Sequence, residues 1–144
     1  MGVSPAIWGP SAWALIHLLP LSEPEKFTPT HYQAFFDALT HVLPCEACRK
    51  HLQENLTQLP KITTLTTKKQ LFDWTVQLHN KVNQITNKPT WSPQQAYTFW
   101  KGVADGKNKL TGGICLPNYW KYATFTLLII LVLFFSWSRQ LRKK

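Results

Sequence analysis

Residues 71–85 read LFDWTVQLHNKVNQI, and the spacing inside that run decides the fold class. Leu71, Trp74, Leu78, Val82 and Ile85 recur every three or four residues, the repeat of one helix face. Pro89 closes the helix, because proline lacks the N–H that would continue the ladder. Just beyond it, Ser92-Pro93-Gln94-Gln95 forms a capping box with proline at the first helical position. It opens a short helix through Tyr97, Phe99, Trp100 and Val103. Upstream, Tyr32, Phe35, Phe36, Leu39, Val42 and Leu43 step by three and four between Pro29 and Pro44, which bracket another helix. Residues 45–56 and 11–19 supply two more, and no segment alternates with period two for long enough to make a convincing strand. The expected fold is all-α: a four-helix bundle plus a short fifth helix, followed by a single C-terminal transmembrane helix.

Composition narrows the function classes. The 144 residues make one domain's worth of chain, and 44% hydrophobic content with seven Trp, eight Phe and four Tyr excludes disorder as a description of the whole. Only 16% of residues are charged, against a usual ~25%, so apolar surface is expected to be covered by a partner, a cofactor or a bilayer. Three cysteines are too few for a disulfide framework. The formal charge of +9 is concentrated: Lys121, Arg139, Arg142, Lys143 and Lys144 fall in a tail without acids, while residues 1–119 carry eleven basic and seven acidic side chains. No dense basic face precedes the tail, so no nucleic-acid partner is expected.

That tail contains YATFTLLIILVLFFSWS, residues 122–138, without a charge. At 1.5 Å per residue it spans about 25 Å as a helix, enough for a thin bilayer. Tyr119, Trp120 and Tyr122 at one end, Trp137 at the other and the basic close RQLRKK suit interfacial anchoring. The opening MGVSPAIWGPSAW has neither the basic stretch nor the apolar core of a signal peptide, and Ala6 breaks the myristoylation pattern. The expectation is therefore a single-pass membrane protein whose globular part faces the cytosol. The organisation follows: a helical domain over residues 1–105, a flexible linker over 106–119, an anchor over 120–138 and a basic tail over 139–144.

Three local patterns carry chemistry. In Pro44-Cys45-Glu46-Ala47-Cys48, two cysteines three apart at a helix start can close a disulfide, and the helix N-terminus stabilises the thiolate that exchanges with other disulfides. Zinc is a rival, since His41 and His51 flank the pair, although His51 would sit roughly 80° off the face shared by the others. An inert structural pair is the third reading. In the long helix, His79 and Asn83 share a face beside Phe72 and Val76, which suits a flat heteroaromatic ligand with polar edges. Lys81 and Lys88 are at hand for phosphates. In the first helix, Trp8-Gly9-Pro10-Ser11-Ala12-Trp13 leads to His17, four residues beyond Trp13, again an aromatic and an imidazole on one face.

The ordered set of W-x-x-x-H, C-x-x-C, H-N-x-V-N, Lys88-Pro89 and an aromatic helix containing Trp100 resembles the Erv/ALR family of FAD-linked sulfhydryl oxidases. The resemblance covers roughly residues 8–100. It implies a helical bundle holding FAD beside the C-x-x-C disulfide, as a homodimer. By position, Gly9, Trp13, His17, His79, Asn80, Val82, Asn83, Lys88, Trp91 and Trp100 would bind FAD, with no metal. Cys48 would lie against the flavin and Cys45 would exchange with a thiol-containing protein substrate, such as a thioredoxin-like carrier, with molecular oxygen as the final acceptor. Cellular members have Gly-Arg-x-x-Trp where this chain has Gly9-Pro10-Ser11-Ala12-Trp13. They also carry a structural disulfide at positions matching Val76 and Pro93. The short core, the missing disulfide and the anchor look most like the versions carried by large cytoplasmic DNA viruses, which implies a host cytoplasmic membrane or a virion membrane, and a role in virion assembly. Cys115, just before the anchor, suits an intermolecular disulfide or a lipid. A non-enzymatic tail-anchored adaptor and a zinc-binding scaffold are the alternatives from other classes.

Overall fold

A computed structural model describes residues 2–22 and 27–109. Within them the chain forms five α-helices, α1 (Pro5–Leu18), α2 (Pro29–Val42), α3 (Glu46–Thr57), α4 (Lys68–Ile85) and α5 (Pro93–Ala104), and no strand. Single turns of 3-10 helix at Leu19–Leu21 and Ile62–Thr64 bridge α1 to α2 and α3 to α4. The anchor expected over residues 120–138, most of the linker and Cys115 lie outside the described residues. Among those described, no helix is long and apolar enough to cross a membrane.

The helices begin and end where local chemistry requires. Pro29 and Pro93 stand at first helical positions, where the missing N–H costs nothing. Ser92 Oγ accepts from Gln95 N at 3.2 Å, while Gln95 Oε1 accepts from Ser92 N at 2.9 Å, the reciprocal box read from sequence. A second box, Thr67 with Gln70, starts α4 in the same way and lies upstream of the stretch that announced the helix. Asn87, at φ 54°, turns the chain out of α4, a left-handed position that asparagine tolerates.

α1 starts six residues before the expected Ser11. The helix runs through Pro10 back to Pro5, with Ser4 as its N-cap. Proline at position 10 withdraws one hydrogen bond, to the carbonyl of Ala6, an exposed residue that water can serve. The segment before the helix is tied down: Val3 N donates to Pro44 O at 2.8 Å, and Trp8 Nε1 donates to Val3 O at 3.1 Å.

α4 is the central helix because it is apolar on two faces. Leu71, Trp74 and Leu78 pack with Ile16, Phe36, Leu52 and Ile62, joining α1, α2 and α3 into the larger core. Trp74 also satisfies its indole N–H on Pro60 O at 2.8 Å. On the other face, Phe72 and Val76 pack with Ala14 of α1 and with Ala96 and Trp100 of α5. Val76 and Pro93, matching the disulfide positions of cellular relatives, are here a buried packing residue and the first residue of α5. α1 packs on both α4 and α5, so its inward face lies along the seam between the two cores.

Candidate functional site

The disulfide sits at the start of α3. Cys45 is the N-cap residue, and its Sγ accepts from the backbone N–H of Cys48 at 3.2 Å. The two sulfurs are bonded to one another, with Cα atoms 5.2 Å apart, and both residues are half-buried. Arg49 folds its guanidinium back onto the carbonyl of Leu43, placing a fixed positive charge beside the same turn. Anionic sulfur at this place is favoured by the helix N-terminus, of which that N–H is part. Among the described residues, no cluster of three or more His, Cys, Asp or Glu could hold a metal ion.

α1 leads from this turn into the bundle. Its N-terminal segment is bonded to Pro44, and Gly9, Trp13 and His17 follow at four-residue intervals on one face. At 1.5 Å per residue that strip runs about 12 Å inward. Gly9 is buried, yet a Cβ built on it meets nothing within 4 Å, so open space adjoins the helix there.

At the inner end, α1, α4 and α5 bring four rings together. Trp13 stacks on His79 with centroids 3.8 Å apart, and His17 lies 4.8 Å from Trp100. His17 is 1% exposed and bonded on both sides: Nδ1 to Thr75 Oγ1 at 3.0 Å and Nε2 to His79 Nδ1 at 2.8 Å. Burial, reinforced by the neighbouring His79, lowers the His17 pKa to about 3. Burial and then the charge of Lys88 lower that of His79 to about 4. Both imidazoles are therefore neutral at physiological pH. Lys88, expected at the site, is exposed but close enough to act electrostatically on His79.

The asparagines of H-N-x-V-N serve the loop between α4 and α5. Asn80 clasps the backbone of Trp91 from both sides, Nδ2 donating to its carbonyl at 2.7 Å and Oδ1 accepting from its N–H at 2.9 Å. Asn83 Nδ2 donates to Pro89 O at 3.1 Å. Trp91 is thereby held beside Phe99, edge to face at 5.4 Å, with 41% of its surface exposed. Val82 is half-buried, and its carbonyl accepts from Thr86 as α4 ends.

Two residues absent from the sequence expectation stand out, one of them bonded into this cluster. Thr75 is the partner of His17, and its position four before His79, on a shared helix face, is the signal that could have found it. Asn55 is 4% exposed and its Nδ2 has no hydrogen-bond partner among the described residues. It shares a face of α3 with Leu52 and Cys48, at spacings of three and four. A buried amide N–H without an acceptor costs on the order of 1–3 kcal/mol, so an acceptor supplied from outside the chain would stabilise this side chain.

Comparison with known proteins follows the same residues. The Erv1 / Alr family profile matches residues 10–101. A protein of Acanthamoeba polyphaga mimivirus, named as a probable FAD-linked sulfhydryl oxidase, is 34% identical over 92 residues, covering 60% of this chain and 63% of its own length. The FAD-linked sulfhydryl oxidase of African swine fever virus is 34% identical over 114 residues, covering 73% of this chain and 93% of its own. The mitochondrial FAD-linked sulfhydryl oxidase of Saccharomyces cerevisiae is 29% identical over 102 residues, covering 65% of this chain and 48% of its own.

Proposed function

The chain belongs to the Erv1 / Alr family, and from that premise we propose how its site works. The protein is an FAD-dependent thiol oxidase that converts two thiols and molecular oxygen into a disulfide and hydrogen peroxide. The observation that carries the reading is the Cys45–Cys48 disulfide at a helix N-terminus, inside the matched stretch and on the helix that also bears Asn55.

The residues present fit FAD. The orphaned Asn55 N–H calls for an acceptor, the open space beside Gly9 admits a ligand, and Trp13 and His79, stacked on each other but only half-buried, keep some aromatic surface accessible. Gly9, Trp13, His17, His79, Val82 and Trp100 would line the cofactor. Asn80, Asn83 and Trp91 would border it through the loop they brace, and Lys88 would supply positive charge for phosphate. FAD, when bound, takes up the two electrons of the reduced cysteine pair and delivers them to oxygen.

The chain's own chemistry is thiol–disulfide exchange. A substrate thiolate attacks Cys45 Sγ, the Cys45–Cys48 bond breaks, and Cys48 leaves as thiolate. A second substrate thiolate attacks the substrate sulfur of the mixed disulfide and displaces Cys45. That departure is eased because the Cys45 sulfur accepts from Cys48 N–H at the head of α3. Exchange needs no general base at Cys45, because the attacking species is already a thiolate and the leaving sulfur departs as one.

The finer setting rests on sequence. Residues 120–138 form a single-span anchor with the catalytic domain on the cytosolic side, in a host cytoplasmic or virion membrane, supported by the uncharged stretch and its aromatic and basic flanks. A homodimer is what membership of the family suggests, and α1 leaves the apolar residues Ile7 and Leu15 exposed for such a contact. The substrate is a protein thiol, and the viral source of several relatives is the ground for proposing a viral setting, with virion assembly as the process served. Purified full-length protein in detergent tests the class: it should be yellow, with FAD released on denaturation in a ratio near one per chain. A colourless protein that does not take up added FAD would leave the adaptor reading standing.

A further inference from the structure

The hydrogen bonds around His17 have a direction, and the direction reaches the edge of the site. Thr75 Oγ1 lies 2.7 Å from the carbonyl oxygen of Phe72. Two oxygens at that distance require a hydrogen between them, and the carbonyl has none, so the Thr75 hydroxyl donates to Phe72. The hydroxyl has only one hydrogen, hence it presents a lone pair to His17 Nδ1 at 3.0 Å. Nδ1 must then carry the proton of the neutral ring, and Nε2 is bare. His79 Nδ1, 2.8 Å from that bare nitrogen, must in turn be protonated. His79 Nε2 is left as a lone-pair acceptor with no protein hydrogen bond among the described residues.

We propose that Thr75 is a positioning residue, whose hydroxyl fixes the tautomers of His17 and His79 so that His79 Nε2 accepts a hydrogen bond from a donor group of the bound FAD. This rests on the FAD reading above. A donor-bearing part of the cofactor meets His79: an amino group, a hydroxyl or a ring N–H. Phosphate oxygens and carbonyls, which only accept, are turned away from it. Thr75 touches no ligand and acts through two rings, like the outer partners that set the tautomer of ligating histidines.

Replacing Thr75 with valine keeps the shape and removes the lone pair. His17 Nδ1–H would then be a buried donor with nothing to accept it, which is costlier than a buried bare nitrogen. Both rings therefore switch: His17 donates from Nε2 to His79 Nδ1, and His79 carries its proton on Nε2, donor facing donor at the cofactor.

The test is long-range nitrogen–proton NMR of the imidazoles in full-length protein in detergent, with and without FAD, alongside FAD affinity. Wild type should show both rings protonated at Nδ1. Thr75→Val should move both protons to Nε2 and weaken FAD binding about tenfold, the cost of one misdirected hydrogen bond. Thr75→Ser should restore both. An Nε2–H tautomer at His79 in the wild type would overturn the proposal even if the valine variant failed to fold. So would a tautomer switch that leaves FAD affinity unchanged. Should the wild type bind no FAD at all, the cofactor reading fails on its own while the tautomers remain readable.

Discussion

Trp13 and His79 stack face to face, their ring planes 3° from parallel and their centroids 3.8 Å apart. The stack fixes which edges of the imidazole remain, Nδ1 toward His17 and Nε2 away from it, and withdraws one ring face from water. Burial is the largest cause of the low pKa of His79. Trp13→Ala should therefore raise that pKa from about 4 toward 6.5 and weaken FAD binding. An NMR titration of the His79 ring checks the first effect. An unchanged midpoint would mean that the stack does not desolvate the histidine.

Neutral buried histidines make folding sensitive to acid. Free histidine in the unfolded chain titrates near 6.5, whereas His17 and His79 in the fold hold out to about 3 and about 4. Between these values the unfolded chain binds more protons than the folded one, so stability falls as pH drops. Their contribution is fully present above pH about 6.5 and is lost progressively toward pH about 4 and below. Thermal melts of FAD-free protein should show Tm falling across that window, more steeply than for His17→Gln. Parallel curves for the two proteins would contradict the assignment.

Asn80 braces the α4–α5 loop through two bonds to one backbone residue. Asn80→Ala should cost about 1–3 kcal/mol, since two hydrogen bonds are lost in a partly exposed setting. Amide exchange at Trp91 should accelerate, while exchange in the α2 core remains unchanged. Equal exchange at Trp91 in both proteins would show that the loop is held by other contacts.

The bilayer anchor is tested by truncation. Removal of residues 121–144 should convert a protein that resists carbonate extraction into a soluble one with the same FAD content per chain. Carbonate release of the full-length chain would show that the uncharged stretch does not span a membrane.

Much of this was legible because helical periodicity and proline placement report directly on packing and on backbone hydrogen bonding. The α2 bounds, the α5 capping box and the C-x-x-C at a helix start all follow from such rules. α1 begins before the expected Ser11, since one missing hydrogen bond at an exposed position is too small a cost to end a helix tethered through Val3 to Pro44. His17 and His79 stood out as polar residues on apolar faces, whereas Thr75 did not, because threonine on a helix carries no charge or ring to mark it. Asn83 reads as a ligand-facing amide from its helix face and Asn80 only through the family resemblance, and the conformation of the 86–92 loop reveals that its backbone engages both. Asn55 is conspicuous only once packing leaves its amide buried without an acceptor.

The relay through Cys45 and Cys48 is the centre of the account, and oxygen consumption with a dithiol substrate tests it most directly. Cys45→Ser and Cys48→Ser each change one atom, so both variants should fold and keep their FAD. Wild type should consume one oxygen per disulfide formed and release hydrogen peroxide, and each variant should fall to the rate of free flavin. Cys48→Ser should in addition hold a mixed disulfide formed by Cys45 with an aromatic disulfide reagent, because no neighbouring thiol remains to resolve it. Near-wild-type oxygen consumption by either single variant, with FAD bound, would contradict the mechanism.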